Sequence, residues 1–168
     1  MEARWLIVDG YSLLYRDREL AARPRPLLSS ARRQIVRRVE EVAGSLAERI
    51  TIVFDGAGSR AEEEASTLPP VEVVFSPRDR TADTVIERLV HEHPRPAEIL
   101  VVTSDRMERE TVGAAGAQTI SCGDFLDECE RLRRAPRGGR RGKPDGGRPT
   151  LGDFFHDRRE DGSTRKDA

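Results

Sequence analysis

Apolar residues along the chain fall in short, nearly unbroken runs, separated by stretches where they recur every three or four positions. Trp5-Leu6-Ile7-Val8, Ile50-Thr51-Ile52-Val53-Phe54, Val71-Glu72-Val73-Val74-Phe75 and Ile99-Leu100-Val101-Val102 are such runs. Their shortness and their flanking turn residues predict buried strands. Gln118-Thr119-Ile120 predicts a short fifth strand. Between the runs, Ala31, Ile35, Val39, Val42 and Leu46 predict a helix from about Ser29. Ala82, Val85, Ile86, Leu89 and Val90 form a full amphipathic stripe and predict a helix over residues 81–93. Thr81 is its N-cap and Pro94 its stop. After Thr103-Ser104-Asp105 a shorter helix should follow, to about Ala115, where Gly116 ends it. Phe125, Leu126, Cys129 and Leu132 mark a last helix. Arg23-Pro24-Arg25-Pro26 is a breaker, and residues 57–69 are a polar excursion.

Strands thus alternate with helices, and the strands lack the polar alternation of a half-exposed sheet. That pattern predicts a three-layer α/β/α domain around a central, mostly parallel sheet. The domain should close near Arg134, giving a unit of residues 1–134. Residues 135–168 have no periodicity, and this tail is expected to be disordered in isolation. Leu151, Phe154 and Phe155 form one small apolar island within it.

Charge sharpens that boundary. The 168 residues carry 29 Lys+Arg and 30 Asp+Glu, a net charge of −1 that by itself argues against a nucleic-acid binder. The average hides a split. Residues 135–168 hold nine basic and six acidic groups, a net of +3, and seven of the 14 glycines. The other 134 residues hold 20 basic and 24 acidic groups, a net of −4. No apolar run approaches the roughly 20 residues of a membrane helix, so no membrane partner is expected. Met1-Glu2 leads straight into the first strand, so no leader is expected. Cys122 and Cys129 suit one helical stripe better than a disulfide scaffold. The simplest expectation is a soluble protein of a reducing, cytoplasmic compartment.

Asp9, Asp55 and Asp105 each follow an apolar strand. In a parallel sheet, residues just past the carboxyl ends of neighbouring strands converge on one rim, where ligands bind. Asp83, in the first turn of the 81–93 helix, borders its apolar stripe and can face the same rim. Glu87 lies on the same side, ~40° further from the stripe. Such carboxylates, with few His or Cys nearby, make a hard oxygen site suited to Mg²⁺ or Mn²⁺ rather than zinc. Without a cation they repel, and at least one should hold a proton. With a cation the suggested chemistry is phosphodiester hydrolysis, because the ion neutralises phosphate charge and acidifies a bound water. Each acid also has a plainer reading, as a turn residue, helix cap or dipole partner. Their coincidence at one rim favours the site.

Other features carry less. Gly56-Ala57-Gly58-Ser59-Arg60-Ala61 fits a dinucleotide fingerprint, but Glu62-Glu63-Glu64 would set negative charge beside a pyrophosphate. His91 and His93 lie ~200° apart on a helix and cannot share an ion. Arg16, Arg80 and Arg106, with Arg78, lie in or beside rim loops and are candidate phosphate contacts, although surface solvation is the plainer reading of each. Tyr11 and Tyr15 could stack on bases, but packing against the wall is preferred.

Ile7-Val8-Asp9-Gly10-Tyr11-Ser12, Val53-Phe54-Asp55-Gly56, Thr81-Ala82-Asp83-Thr84 with Ile86-Glu87, and Val102-Thr103-Ser104-Asp105 occur in that order. Together they resemble the YacP-like branch of the NYN domains, within the PIN-like nuclease superfamily, over about residues 4–134. The resemblance implies a parallel-sheet α/β fold, an acidic divalent-metal centre and endoribonuclease activity. Bacterial members of the family include a ribosome-associated endoribonuclease that cleaves messenger RNA. By position, Asp9, Asp83 and Asp105 match the metal-site acids, and Asp55 matches the acid after the second strand. Ser12, Thr103, Ser104 and Glu87 are supporting candidates. Ser12 stands where the family usually has Asn, keeping a hydrogen-bonding oxygen but with shorter reach and no amide donor.

The expected function is a Mg²⁺- or Mn²⁺-dependent endoribonuclease acting on RNA, with the ribosome as a partner. A non-catalytic RNA- or ribosome-binding adaptor is the alternative, and a small-molecule metallophosphatase is a weaker third reading. In either RNA reading, Arg137, Arg140, Arg141 and Lys143 of the tail would contact phosphates. Truncation after Arg134 should then weaken RNA binding in a filter assay and flatten its dependence on salt concentration. An unchanged salt slope would leave the tail without a role in RNA contact.

Overall fold

The structure is a computed structural model that describes residues 3–21, 28–56 and 69–135. Its five strands are β1 (Trp5–Asp9), β2 (Arg49–Phe54), β3 (Val71–Phe75), β4 (Ile99–Val102) and β5 (Gln118–Ile120). Its α-helices are α1 (Gly10–Arg16), α2 (Arg18–Ala21), α3 (Leu28–Glu40), α4 (Ala82–Glu92), α5 (Arg106–Ala114) and α6 (Cys122–Arg134). All five expected strands form, at or within a residue of their expected bounds. The helix expected through Leu46 stops at Glu40, and a 3-10 turn at Ala43–Ser45 carries Val42 and Leu46 into the core instead. Helices α1 and α2 were not anticipated, because seven and four residues are too few to establish a helical period. The tail, the 23–26 breaker and most of the 56–61 glycine motif lie outside the described residues.

The sheet is parallel throughout, in the order β3-β2-β1-β4-β5. Central β1 pairs with β2 and β4, and all five of its residues are buried. Alternation along the pleat sends its side chains to two separate cores. Leu6 and Val8, with Ile50, Ile52, Phe54, Leu100 and Val102, pack against α1, α3 and α6. Trp5 and Ile7, with Val53, Ile99 and Val101, pack against Ala82, Ile86 and Val90 of α4 and Val112 of α5. Both faces of the sheet are therefore buried along β1 and β4 and most of β2, as continuous apolar strands require, while the edge strands β3 and β5 are mostly half-buried.

The same parity selects the chemistry. Asp9, Asp55 and Thr103 have the register of Ile7, Val53 and Val101, so they extend from the carboxyl edge on the α4–α5 side. The chain builds β1, β2 and β3 outward in one direction, then crosses to β4 on the other side of β1. The carboxyl edge between β1 and β4 is thus a topological switch point, where open α/β sheets form crevices.

Gly10 begins α1 beside Phe54. A Cβ at position 10 would lie 2.4 Å from the Phe54 ring, inside van der Waals contact. That ring is 1% exposed and cannot swing away. Gly10→Ala should therefore cost ~1–3 kcal/mol by overpacking, measured as a lowered denaturation midpoint in urea. Phe54→Leu should recover part of that loss in the double variant, because the two changes share one contact.

Candidate metal centre

One oxygen each from Asp9, Asp83 and Glu108 lie within 4.8 Å of one another. Three elements deliver them. Asp9 ends β1 and caps α1, its Oδ1 accepting the Ser12 N–H at 3.0 Å. Asp83 is the second residue of α4. Glu108 sits in the first turn of α5, one turn before Val112, and these two are the buried residues of that helix. Asp9 is 8% exposed and Glu108 2%, while Asp83 is half-buried.

The remaining rim acids place these three. Asp55 Oδ1 accepts the Ala82 N–H at 2.6 Å and the Ser76 hydroxyl at 3.4 Å, tying the start of α4 to the end of β2. Gly56, with φ +93°, turns the chain there, and its N–H donates to Ser76 Oγ at 3.1 Å. Thr81 caps α4 by accepting the Thr84 N–H at 3.2 Å. Asp105 caps α5, its Oδ1 accepting the N–H groups of Met107 at 2.7 Å and Glu108 at 3.2 Å. Asp105 N–H donates to Thr103 Oγ1 at 3.1 Å. The structure thus brings Asp9 and Asp83 together as expected, but the third converging carboxylate is Glu108 and not Asp105. Asp105 caps α5 through Oδ1 and still lies close enough to raise the Asp83 carboxyl, and its helix carries Glu108 inward.

Burial pushes the Asp9 carboxyl above its ordinary value, and the Asp83 charge adds to this, while the Ser12 amide and hydroxyl oppose it. Burial raises Asp83 too, reinforced by Asp105 and Asp55. Glu108 is pushed up to about 8, chiefly by burial and then by Asp9, Asp83 and Asp105, with partial relief from the Thr103 hydroxyl. Neither Glu108 oxygen has a partner at hydrogen-bonding geometry. A buried carboxylate in that state needs a proton or a cation.

The donor set fits a hard divalent ion. It is all carboxylate, and oxygens gathered within 4.8 Å of one another are spaced as a shared Mg²⁺ or Mn²⁺ would need, since two oxygens at ~2.1 Å from one ion lie at most ~4.2 Å apart. The unpartnered oxygens of Glu108 are where such an ion would compensate most.

Other candidates fall around this centre. Glu87, half-buried one turn beyond Asp83, is outside the converging three. Ser12 contributes its amide to Asp9, and Ser104 accepts the Cys122 N–H at 3.3 Å at the start of α6. Arg106 pairs with Glu110 at 2.8 Å and Arg80 with Asp79 at 3.9 Å, both on the surface. Exposed Arg16 sits beside Gly123 of α6. Arg137, Arg140, Arg141 and Lys143 lie outside the described residues. Cys122 and Cys129 are buried, and burial raises both thiols, Cys129 to about 12, so neither is a nucleophile.

A doubly covered parallel sheet with an acidic cluster at its switch point defines a nuclease-like α/β domain of the PIN-like kind. The profile of the YacP-like NYN domain matches residues 6–146, and the chain belongs to that family. It is 30% identical over 130 residues to the uncharacterized protein YacP of Bacillus subtilis (strain 168), covering 77% of this chain and 76% of that one. A crystal structure of Rae1 (YacP) from Bacillus subtilis superposes with TM-score 0.65 at 28% identity, over 77% of this chain and 75% of that one. A mutant of the same protein gives 0.64 at 29% identity, over 78% and 77%. No described helix is long and apolar enough to cross a membrane.

The raised Glu108 value gives a pH test. A carboxyl held above its ordinary value makes the folded state the better proton binder. Its stabilising contribution is complete below about 4.5 and is lost as pH rises through about 8. Metal-free protein should therefore melt at a lower temperature at about pH 8.5 than at about pH 5.5. Glu108→Gln should flatten that difference, and Mn²⁺ should restore stability to the unmodified chain at the higher pH.

Proposed function

We propose that the chain is a divalent-metal-dependent endoribonuclease that hydrolyses RNA phosphodiester bonds. The observation that carries this reading is the buried, unpartnered Glu108 carboxylate converging with Asp9 and Asp83. Membership of a nuclease-like family supports it. The finer reading, action on messenger RNA in association with the ribosome, rests on the family resemblance.

Asp9, Asp83 and Glu108 would hold Mg²⁺ or Mn²⁺. A bound ion of this kind supplies charge neutralisation at the phosphate and a water acidic enough to attack it at neutral pH. The rest falls to the protein. Asp55 fixes the N-terminus of α4, and so the position of Asp83, through the Ala82 amide. Asp105 fixes α5, and so Glu108, through two amides. Thr103 holds the Asp105 turn. The buried wall beneath Asp9 keeps bulk water from that side of the centre. Arg78 and Arg80, in the loop that leads into α4, are the candidates for holding the substrate backbone.

Ser12 motivates a second reading as a non-catalytic RNA- or ribosome-binding adaptor. Incubation of the protein with naked RNA and with translating ribosomes, with and without Mn²⁺, separates the two. The nuclease reading expects metal-dependent cleavage that falls by about 10²-fold or more in Asp9→Asn, Asp83→Asn and Glu108→Gln. Asp9→Asn is the cleanest of these, because asparagine caps a helix as well as aspartate does. Cleavage that persists undiminished in these variants overturns the reading. RNA binding with neither cleavage nor a Mn²⁺ titration signal would identify the adaptor.

A further inference from the structure

Helix α6 covers the face of the sheet opposite the acidic centre, and a groove of about 510 Å³ runs between it, α3 and the junction of α1 with α2. The groove follows α6 from Gly123 to Arg134, ~16 Å at ~1.5 Å per residue. Its floor is apolar. Ile35 and Val39 of α3 and Cys129 of α6 are buried there, and Leu126 is half-buried. Its walls are charged. Arg38 reaches across to Asp17 and Glu19, and Glu130 pairs with Arg133 and Arg134. Arg16 and Arg18, both exposed on the α1–α2 wall, have no ion pair among the described residues.

The described residues end at Ala135, directly after two residues that line this groove, Arg133 and Arg134. The sequence beyond begins with 15 residues, 136–150, that hold five glycines and no large apolar side chain. Leu151-Gly152-Asp153-Phe154-Phe155-His156-Asp157 follows. Leu151, Phe154 and Phe155 stand at i, i+3 and i+4, the spacing of the anchors by which one amphipathic turn lies in a groove. Asp153 and Asp157 bracket the two rings.

Groove and segment are complementary in chemistry. Phenyl rings suit an apolar floor, and their faces attract guanidinium groups. Arginine stems extend the apolar surface that the floor begins. The two aspartates answer Arg16 and Arg18, which no acid of the described residues neutralises. Reach is ample, because 15 residues span up to ~50 Å at ~3.3 Å each, about three times the length of the groove. A tether of this kind holds its far end at an effective concentration on the order of millimolar. A separate partner or a second copy would have to meet the full cost of association, which a tethered segment largely avoids.

We infer that Leu151, Phe154 and Phe155 dock on the α6 groove of their own chain, with Asp153 and Asp157 toward Arg16 and Arg18. Docking makes residues 136–150 a loop anchored at both ends. The basic run from Arg137 to Lys143 is then kept close to the last turn of α6. The inference stands apart from the nuclease reading.

Hydrogen–deuterium exchange of the purified full-length chain, read by mass spectrometry, tests it. After correction for intrinsic rates, the amides of residues 151–156 should exchange about ten-fold or more slowly than those of 137–143. Phe154→Ala with Phe155→Ala should remove that difference. Leu126→Glu at the floor should release the segment, and so should Arg16→Glu with Arg18→Glu at the wall. The two arginines are exposed, so the second variant keeps its fold, checked by an unchanged circular dichroism spectrum. Equal exchange of the two segments in the unmodified chain overturns the inference, and a groove reserved for a separate protein gives that result. Protection that survives both groove variants overturns it as well. Protection that grows with protein concentration, alongside a dimer in sedimentation velocity, assigns the groove to a second copy and overturns docking within one chain.

Discussion

Asp9 ends a strand that has no exposed residue, and the acidic centre depends on that placement. β1 is paired on both edges and covered on both faces, so its last side chain cannot retreat into solvent. Parity then dictates the side on which it emerges. Had the register slipped by one residue, Asp9 would point toward α1 and the larger core, away from Asp83 and Glu108. The apolar content of four strands thus fixes the position of one carboxylate, and the other two are brought to it by helices that begin at the same edge.

Bringing like charges together opposes folding, and the arrangement around the rim shows how that is managed. Two of the five acids, Asp55 and Asp105, are satisfied by backbone amides at helix starts, where negative charge is favourable. Asp9 keeps one amide. The Glu108 carboxylate meets no backbone amide, and only the Thr103 hydroxyl offers it partial relief. The acids therefore form a graded series, from those that hold helices to one with no structural use for its charge. That last group is the one whose chemistry is unexplained by the fold, and it separates a functional cluster from a set of coincident caps.

Much of this was legible in the sequence. Strands that are apolar along their whole length, alternating with amphipathic stripes, specify a doubly covered parallel sheet, and the acids at strand ends follow. Glu108 was not legible, for a definite reason. Helix α5 carries only Val112 as a buried apolar residue, so its inward face has too short a stripe to be read. A glutamate in a first turn is ordinarily a dipole partner in water. The one available signal was the four-residue spacing between Glu108 and Val112, which places both on one face. Asp105 shares the strand-end position of Asp9, but it stands beyond the turn at Thr103-Ser104 and caps α5 with one oxygen, so Glu108 joins Asp9 and Asp83 more closely than it does. Wall packing is the sequence expectation for both Tyr11 and Tyr15. That holds for Tyr11, whose ring is half-buried, but not for its exposed neighbour one turn on.

Gly10 follows Asp9 directly and lies against the Phe54 ring. The Phe54 ring occupies the space of its missing side chain, and the same ring supports Tyr11 on one side and Phe75 on the other. The turn that follows Asp9 and the aromatic cluster therefore share one tight contact, Gly10 against Phe54. A lineage cannot enlarge one without disturbing the other. Heritable variation at positions 10, 11, 54 and 75 should travel as a set, and retuning of the aromatic cluster is open mainly at its outermost member, Tyr15, which stacks on Tyr11.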